Sequence, residues 1–515
     1  MHSSRHRLGE LALGFRRGGR KWLSRFGAIA LGVGALGGTA LAQTAATAGA
    51  WSTLAAWPLI PIHMVLTRAG DVVSYGTSAS GQQTGYFIYD VWNWRAGLSG
   101  GHTTLPNGTL VDLFCNGQIQ LPNSDAVVMF GGDIWNGAKT TGVDNRNTVI
   151  YRPGAPLARG PDMWRARWYA TATMLDNGEI LIQGGRRGAD RPEVRQTSGQ
   201  YRLLSGANTS SIYWWYPKNF LAPDRRVFGF AKRTMYYINP TGTGTISILA
   251  QQLPSAGAYG ATASAVMYAP GKILHVGGGG DIAGTSNPAR SAADVIDING
   301  ATPTVTTARA MPVALHWHTA TVLADGRVAV TGGSTVANKR TGVNDRALLW
   351  TPSAGANAPG SWIQGARTTS NRARLYHSTA MLLPDGSVLV GGGGAFGPQT
   401  NTNAEIYYPP YLFNASGARA TQPAIVSAPS TLPVGGSFNI GVNTTAIGRV
   451  TLVRTGSVTH SFNNEQRFME LPFTRSGTTL TVTAPASRVI APPGYFLLFV
   501  LNTAGVPSLA RIVAI

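Results

Sequence analysis

Cysteine is almost missing from this 515-residue chain: Cys115 stands alone, so no internal disulfide can form. A lone cysteine is most often a small buried hydrophobe, yet in an oxidising compartment a free thiol is a liability, and its surroundings decide between the two readings. Acidic residues are scarce too, 22 Asp and Glu against 42 Lys and Arg. A hydrolase built on paired carboxylates therefore has little to work with, since many of these acids sit in turn motifs. No apolar run beyond residue 41 is long enough to span a bilayer. No helix-turn-helix, RNA-recognition or zinc-finger pattern accompanies the positive charge, so no nucleic-acid function is inferred.

What the amino terminus does have is an export pattern. Arg16, Arg17, Arg20, Lys21 and Arg25 precede an apolar stretch from Phe26 to Leu41 that ends in Ala40-Leu41-Ala42, with small side chains where a signal peptidase would cut. Residues 1–42 are read as a signal peptide, the other reading being a retained membrane anchor, and 43–57 as a linker. Arg16-Arg17 raises twin-arginine export, although Gly18-Gly19 follows instead of the usual apolar pair. The mature chain keeps 35 basic against 21 acidic residues, or +14. Such a surface attracts anionic polymers, acidic envelope glycans among them. The expected location is secreted, periplasmic or cell-envelope associated, with membrane contact only if the leader is retained.

Glycine (65) and proline (30) are abundant, but Trp, Tyr and Phe are spread throughout, which speaks for many short strands joined by tight turns and against low complexity. From about residue 60 to 400 one phrase recurs: a polar or aromatic start, a strand, a Gly-containing turn, then a β-branched run ending in Gly-Gly. Trp168-Tyr169 leads through Asp176-Asn177-Gly178 to Gly184-Gly185; His316-Trp317-His318 through Asp325-Gly326 to Gly332-Gly333; Tyr376-His377 through Asp385-Gly386 to Gly391-Gly392. A fifth copy runs from Ser264 to Gly277-Gly278, two earlier ones from His63 to Gly76 and from His102 to Gly131-Gly132, and a weaker fourth from Tyr213 to Phe230. The turns supply positive φ for hairpins, and a spacing of about 45 to 60 residues is that of a four-stranded propeller blade. The fold expected is all-β: a seven-bladed kelch-type β-propeller over 58–415, followed by an immunoglobulin-like β-sandwich over 416–515, where the phrase stops and short alternating strands continue.

Several segments resemble the active-site signatures of the galactose oxidase/glyoxal oxidase family of copper-radical oxidases, and they fall in the family's order over nearly the whole mature chain. Asp112-Leu113-Phe114-Cys115-Asn116-Gly117 is similar to the stretch whose cysteine becomes bonded to a tyrosine ring. Arg167-Trp168-Tyr169 is similar to the stretch supplying that tyrosine and leans toward the glyoxal oxidase branch. Arg374-Leu375-Tyr376-His377-Ser378 looks like the segment with the axial tyrosine and one histidine ligand, and Thr459-His460-Ser461-Phe462-Asn463 like the one with the second histidine. Pro492-Pro493-Gly494-Tyr495 and Gly505-Val506-Pro507-Ser508 resemble the family's last strands.

The resemblance implies one copper ion held by Tyr169, Tyr376, His377 and His460, with Tyr376 axial and accepting the substrate proton, and a Cys115–Tyr169 thioether as a tyrosyl-radical cofactor. Copper exchanges one electron readily while alcohol oxidation needs two, which would explain a lone cysteine. Imidazole nitrogen and phenolate oxygen suit Cu(II). The implied activity is oxidation of a primary alcohol or small aldehyde with O2 to give H2O2, by a monomeric enzyme. Two departures bear on substrate. The tryptophan that follows the third-blade Gly-Gly in galactose oxidases is replaced by Arg186-Arg187, leaving Trp168, Trp214, Trp215 and Trp317 as candidates to cover the thioether. The sugar-gripping arginine has no counterpart in Ser255-Ala256-Gly257-Ala258-Tyr259, so galactose is disfavoured. The competing reading is a non-catalytic kelch propeller that binds envelope glycans through its basic surface.

Overall fold

Asn177-Gly178 joins the strand Ala170–Met174 to Ile180–Gly184, with Gly178 at φ 84°, and the same device repeats at Gly326 (φ 86°) and Gly386 (φ 83°). The computed structural model describes residues 44–515 apart from 123, 255–259, 280–287 and 354–358. The leader expected at 1–42 and the stretch 255–259 thus lie outside the described residues. Among the described residues no helix is long and apolar enough to cross a membrane.

The hairpins assemble into a seven-bladed propeller whose innermost strands are His63–Leu66, Gly117–Gln120, Ala170–Met174, Lys218–Leu221, Ser264–Ala269, His316–Val322 and Ser378–Leu382. Ser378–Leu382 adjoins His63–Leu66, so the ring closes. The segment read as a linker takes part in the closure. Ala50–Trp51 and Ala55–Ala56 pair with Asn403–Tyr408 and become the outer edge of the seventh blade, covering a strand edge that would otherwise be exposed. The repeat read from His102 straddles two sheets: His102–Pro106 is the outer strand of the first blade, held where His102 Nδ1 meets Asp90 Oδ2 at 2.7 Å, and the second blade opens at Gly117.

Beyond the propeller, two four-stranded sheets form the sandwich. The strand Tyr495–Asn502 serves both bodies through its two-residue period. Phe496, Leu498 and Val500 point into the sandwich core, while Leu497, Phe499 and Leu501 join the largest propeller cluster. One hairpin leaves the sandwich altogether. Ser457–Thr459 and Phe462–Asn464 add to the inner edge of the first blade and run down the propeller axis, touching the innermost strand of every blade.

Candidate metal centre

Hairpin physics places the first functional side chain. The axial hairpin pairs Thr459 with Phe462, leaving His460-Ser461 as a two-residue turn with φ 45° and 63°. Positive φ at both positions is the signature of a type I′ turn, usually built from Asn and Gly because other residues are strained there by roughly 1–2 kcal/mol each. Here the turn projects a fully buried imidazole to the end of the axis.

The blades meet it with a repeated device of their own. Cys115 (φ 55°), Tyr169 (φ 71°), Tyr216 (φ 37°), Trp317 (φ 57°) and His377 (φ 68°) all adopt left-handed backbone within two residues of the start of an innermost strand. The kink turns each chain into the ring, and backbone bonds lace the kinks together: Tyr169 N–H donates to Cys115 O at 2.9 Å, and Tyr216 N–H to Tyr169 O at 3.0 Å. Strained non-glycine residues concentrated in one place mark a functional site.

All five residues expected at the site converge. Cys115 Sγ lies 3.4 Å from His377 Nε2 and 3.4 Å from His460 Nε2, and the three ligand atoms fall within 4.8 Å of one another. The phenol oxygens of Tyr169 and Tyr376 are 2.6 Å apart, and the Cys115 thiol also engages the Tyr169 side chain. Each is at most 3% exposed. His377 Nδ1–H donates to Gly394 O at 2.7 Å, which leaves its Nε2 lone pair toward the centre, and His460 Nδ1 pairs with Thr459 Oγ1 at 2.5 Å with its Nε2 on the same side. Burial holds His377 down to about 3 and His460 well below the ordinary histidine value, keeping both neutral. It also pushes the Cys115 thiol and the two phenols well above theirs. A dication entering here would be bound by the neutral imidazoles as they stand, while the phenols would give up their protons.

The family model described as glyoxal oxidase N-terminus matches residues 157–411, and the galactose oxidase-like early set domain matches 422–515. The chain belongs to the galactose oxidase/glyoxal oxidase family. It is 28% identical over 504 residues to a galactose oxidase of Gibberella zeae, covering 91% of this chain and 70% of the relative. It is 27% identical over 447 residues to the aldehyde oxidase GLOX of Vitis pseudoreticulata, covering 79% and 82%. A fungal alcohol oxidase solved in complex with copper shares the fold, with a TM-score of 0.80 at 22% identity over 91% of this chain and 100% of that one.

An indole covers Tyr169. Among the four tryptophans left open by the sequence, Trp215 stacks on the Tyr169 ring at 4.2 Å between centroids and 24° between planes. Trp168 is tilted by 42° at 4.5 Å, Trp214 lies at 5.9 Å, and Trp317 packs against Tyr376 instead. Two supporting arginines were quoted in the motifs without a role. Arg167, two residues before Tyr169, is 0% exposed, donates to Gly184 O, Gly188 O and Arg191 O, and meets Glu193 at 2.9 Å. Arg374, two residues before Tyr376, repeats this with Gly392 O, Asn403 O and Glu405 at 3.2 Å. The shared Arg-x-Tyr spacing was the signal. His63, unassigned by its own context, lies under the centre, its ring 6.0 Å from that of His460 and stacked on Tyr75.

Proposed function

We propose that the chain is an exported copper-radical oxidase that converts a primary alcohol, or a small aldehyde through its hydrate, with O2 to the next oxidation level and H2O2. The observation that supports it most is the burial of Cys115, Tyr169, Tyr376, His377 and His460 around one point from four separate chain segments. Two imidazole nitrogens with free lone pairs and two phenol oxygens form a donor set suited to Cu(II). Tyr169, Tyr376, His377 and His460 would hold the ion, which supplies one of the two electron-accepting positions when bound.

The protein supplies the second electron-accepting position. Joining the Cys115 sulfur to a Tyr169 ring carbon forms one C–S bond and removes the thiol and ring hydrogens, with O2 as oxidant and H2O2 as its product. The thioether lowers the oxidation potential of the phenol, so Tyr169 can store a radical, and Trp215 stacked on it keeps solvent off that ring. Tyr376, buried and of high proton affinity, would release its own proton to solvent when the ion binds and, as the phenolate, take the proton of the substrate hydroxyl. The substrate then loses a hydrogen atom and an electron, and O2 leaves as H2O2 with both protons and both electrons. Small aldehydes and simple diols fit better than galactose, because the stretch Ser255–Tyr259 offers no arginine to grip sugar hydroxyls. The basic mature surface would present the enzyme to anionic glycans.

Titrating metal-free protein with copper, followed by EPR and a peroxide assay, tests the proposal. One copper per chain and peroxide formation from a small aldehyde are expected, and absence of stoichiometric copper binding sinks it.

A further inference from the structure

We infer that the cleft between the sixth- and seventh-blade loops is a carboxylate-binding subsite, so that the preferred substrate carries an anionic group beside its reacting carbon. The inference rests on the oxidase reading and adds a substrate class to it.

The cleft, about 440 Å³, is lined by Arg340, Val343, Asp345, Asn371, Arg372 and Ala373 among others. Its inner wall packs against the residues around the metal centre. Ala373, three residues ahead of Tyr376, belongs to the buried cluster that holds Tyr169, Trp215 and Tyr376, and Val343 packs against that cluster. Its outer wall is cationic. Arg340 is exposed and donates to Asn371 Oδ1 at 3.0 Å, while Arg372 is half-buried and its Nε has no partner. Asp345, the one acid of the lining, is already engaged by Arg367 at 2.7 Å. Among the described residues neither Arg340 nor Arg372 forms an ion pair, so two guanidinium groups reach the cleft uncompensated. A planar carboxylate is the ligand that guanidinium forks recognise in geometry as well as charge. A substrate with its reacting carbon at Tyr376 and its carboxylate in the cleft would use both walls. Free oxo or hydroxy acids and the uronate ends of acidic glycans share this chemistry.

The test uses the copper-loaded full chain and peroxide release from glyoxylate and from glycolaldehyde, which differ by the carboxylate. The ratio of kcat/KM for glyoxylate to that for glycolaldehyde should fall about tenfold or more in the double variant R340Q/R372Q, chiefly through KM. Arg475→Gln, an exposed loss of one positive charge in the sandwich, should leave the ratio alone. Calorimetric titration of the metal-free chain with oxalate gives a readout independent of turnover: saturable binding to the wild type, lost in the double variant. Polygalacturonate that competes with glyoxylate in the wild type alone would assign a glycan source, and lack of competition a free acid. An unchanged ratio together with no oxalate binding overturns the inference. Oxalate binding without turnover of either aldehyde would leave the subsite standing and overturn the oxidase reading.

Discussion

Tyr169 and Trp215 lie face to face, ring centroids 4.2 Å apart and planes within 24°, although they start neighbouring blades and are 46 residues apart. The backbone bond from Tyr216 N–H to Tyr169 O fixes that approach. The fourth blade thus supplies the aromatic cover that Arg186-Arg187 cannot. Trp215→Ala should leave copper binding intact and shorten the lifetime of the oxidised, radical-bearing form several-fold, as followed by its optical and EPR signals in air. An unchanged lifetime would move the protective role to Trp168.

Cofactor formation has a mass signature. With copper and air, intact mass should fall by about two hydrogens, since the thiol and one ring hydrogen are lost. Cys115→Ser should still bind copper through the four remaining donors and lose most turnover. A thiol at Cys115 that stays free to alkylation after aerobic copper treatment would refute the thioether.

Buried ion pairs brace both tyrosines, and breaking either is expected to be costly. Arg167→Leu leaves Glu193 charged and 0% exposed and frees three carbonyls that the guanidinium had capped. A loss of about 3–5 kcal/mol is expected from the stranded charge. Denaturant midpoints measure it, and the double change R167L/E193L should recover part of the loss. Equal destabilisation by single and double variants would show that the carbonyl contacts matter and the pair does not.

Lys218 sits 4% exposed on the innermost strand of the fourth blade, its Nζ without a hydrogen-bond partner and 4.8 Å from the Phe462 ring. Burial lowers its proton affinity from 10.5 to about 7. The unfolded chain therefore binds this proton between about pH 7 and 10.5 while the folded chain does not, so the site costs stability progressively as pH falls through that window and the penalty levels off below it. Lys218→Met should stabilise the protein by up to about 5 kcal/mol near pH 6 and by almost nothing near pH 10.5. Thermal melts of both proteins across this range decide it: a difference independent of pH would mean that Lys218 is charged in the folded state or paired.

Substrate preference provides a further check. Peroxide release from glyoxal, glycolaldehyde or glycerol should exceed that from galactose, by orders of magnitude where a sugar-gripping group is missing. Galactose turned over faster than every small aldehyde would defeat this.

The sequence by itself determined the repeat and its chemistry. Turn dipeptides need positive φ, Gly-Gly closes each second strand, and strand alternation follows from a two-residue period, so the propeller and the sandwich are written locally. The five centre residues were legible through the resemblance of their motifs to those of the family, since no single histidine or tyrosine stands out by itself. Contacts between distant segments were not. That 50–56 closes the seventh blade and that 457–464 is threaded along the axis depend on pairing across hundreds of residues, which no local pattern encodes, whereas His102 joins the first blade by pairing with nearby Trp92. The choice of Trp215 over three other tryptophans was likewise tertiary: all four lie near the same strand ends, and only the left-handed kinks and the close approach of adjacent blades bring one indole flat onto Tyr169.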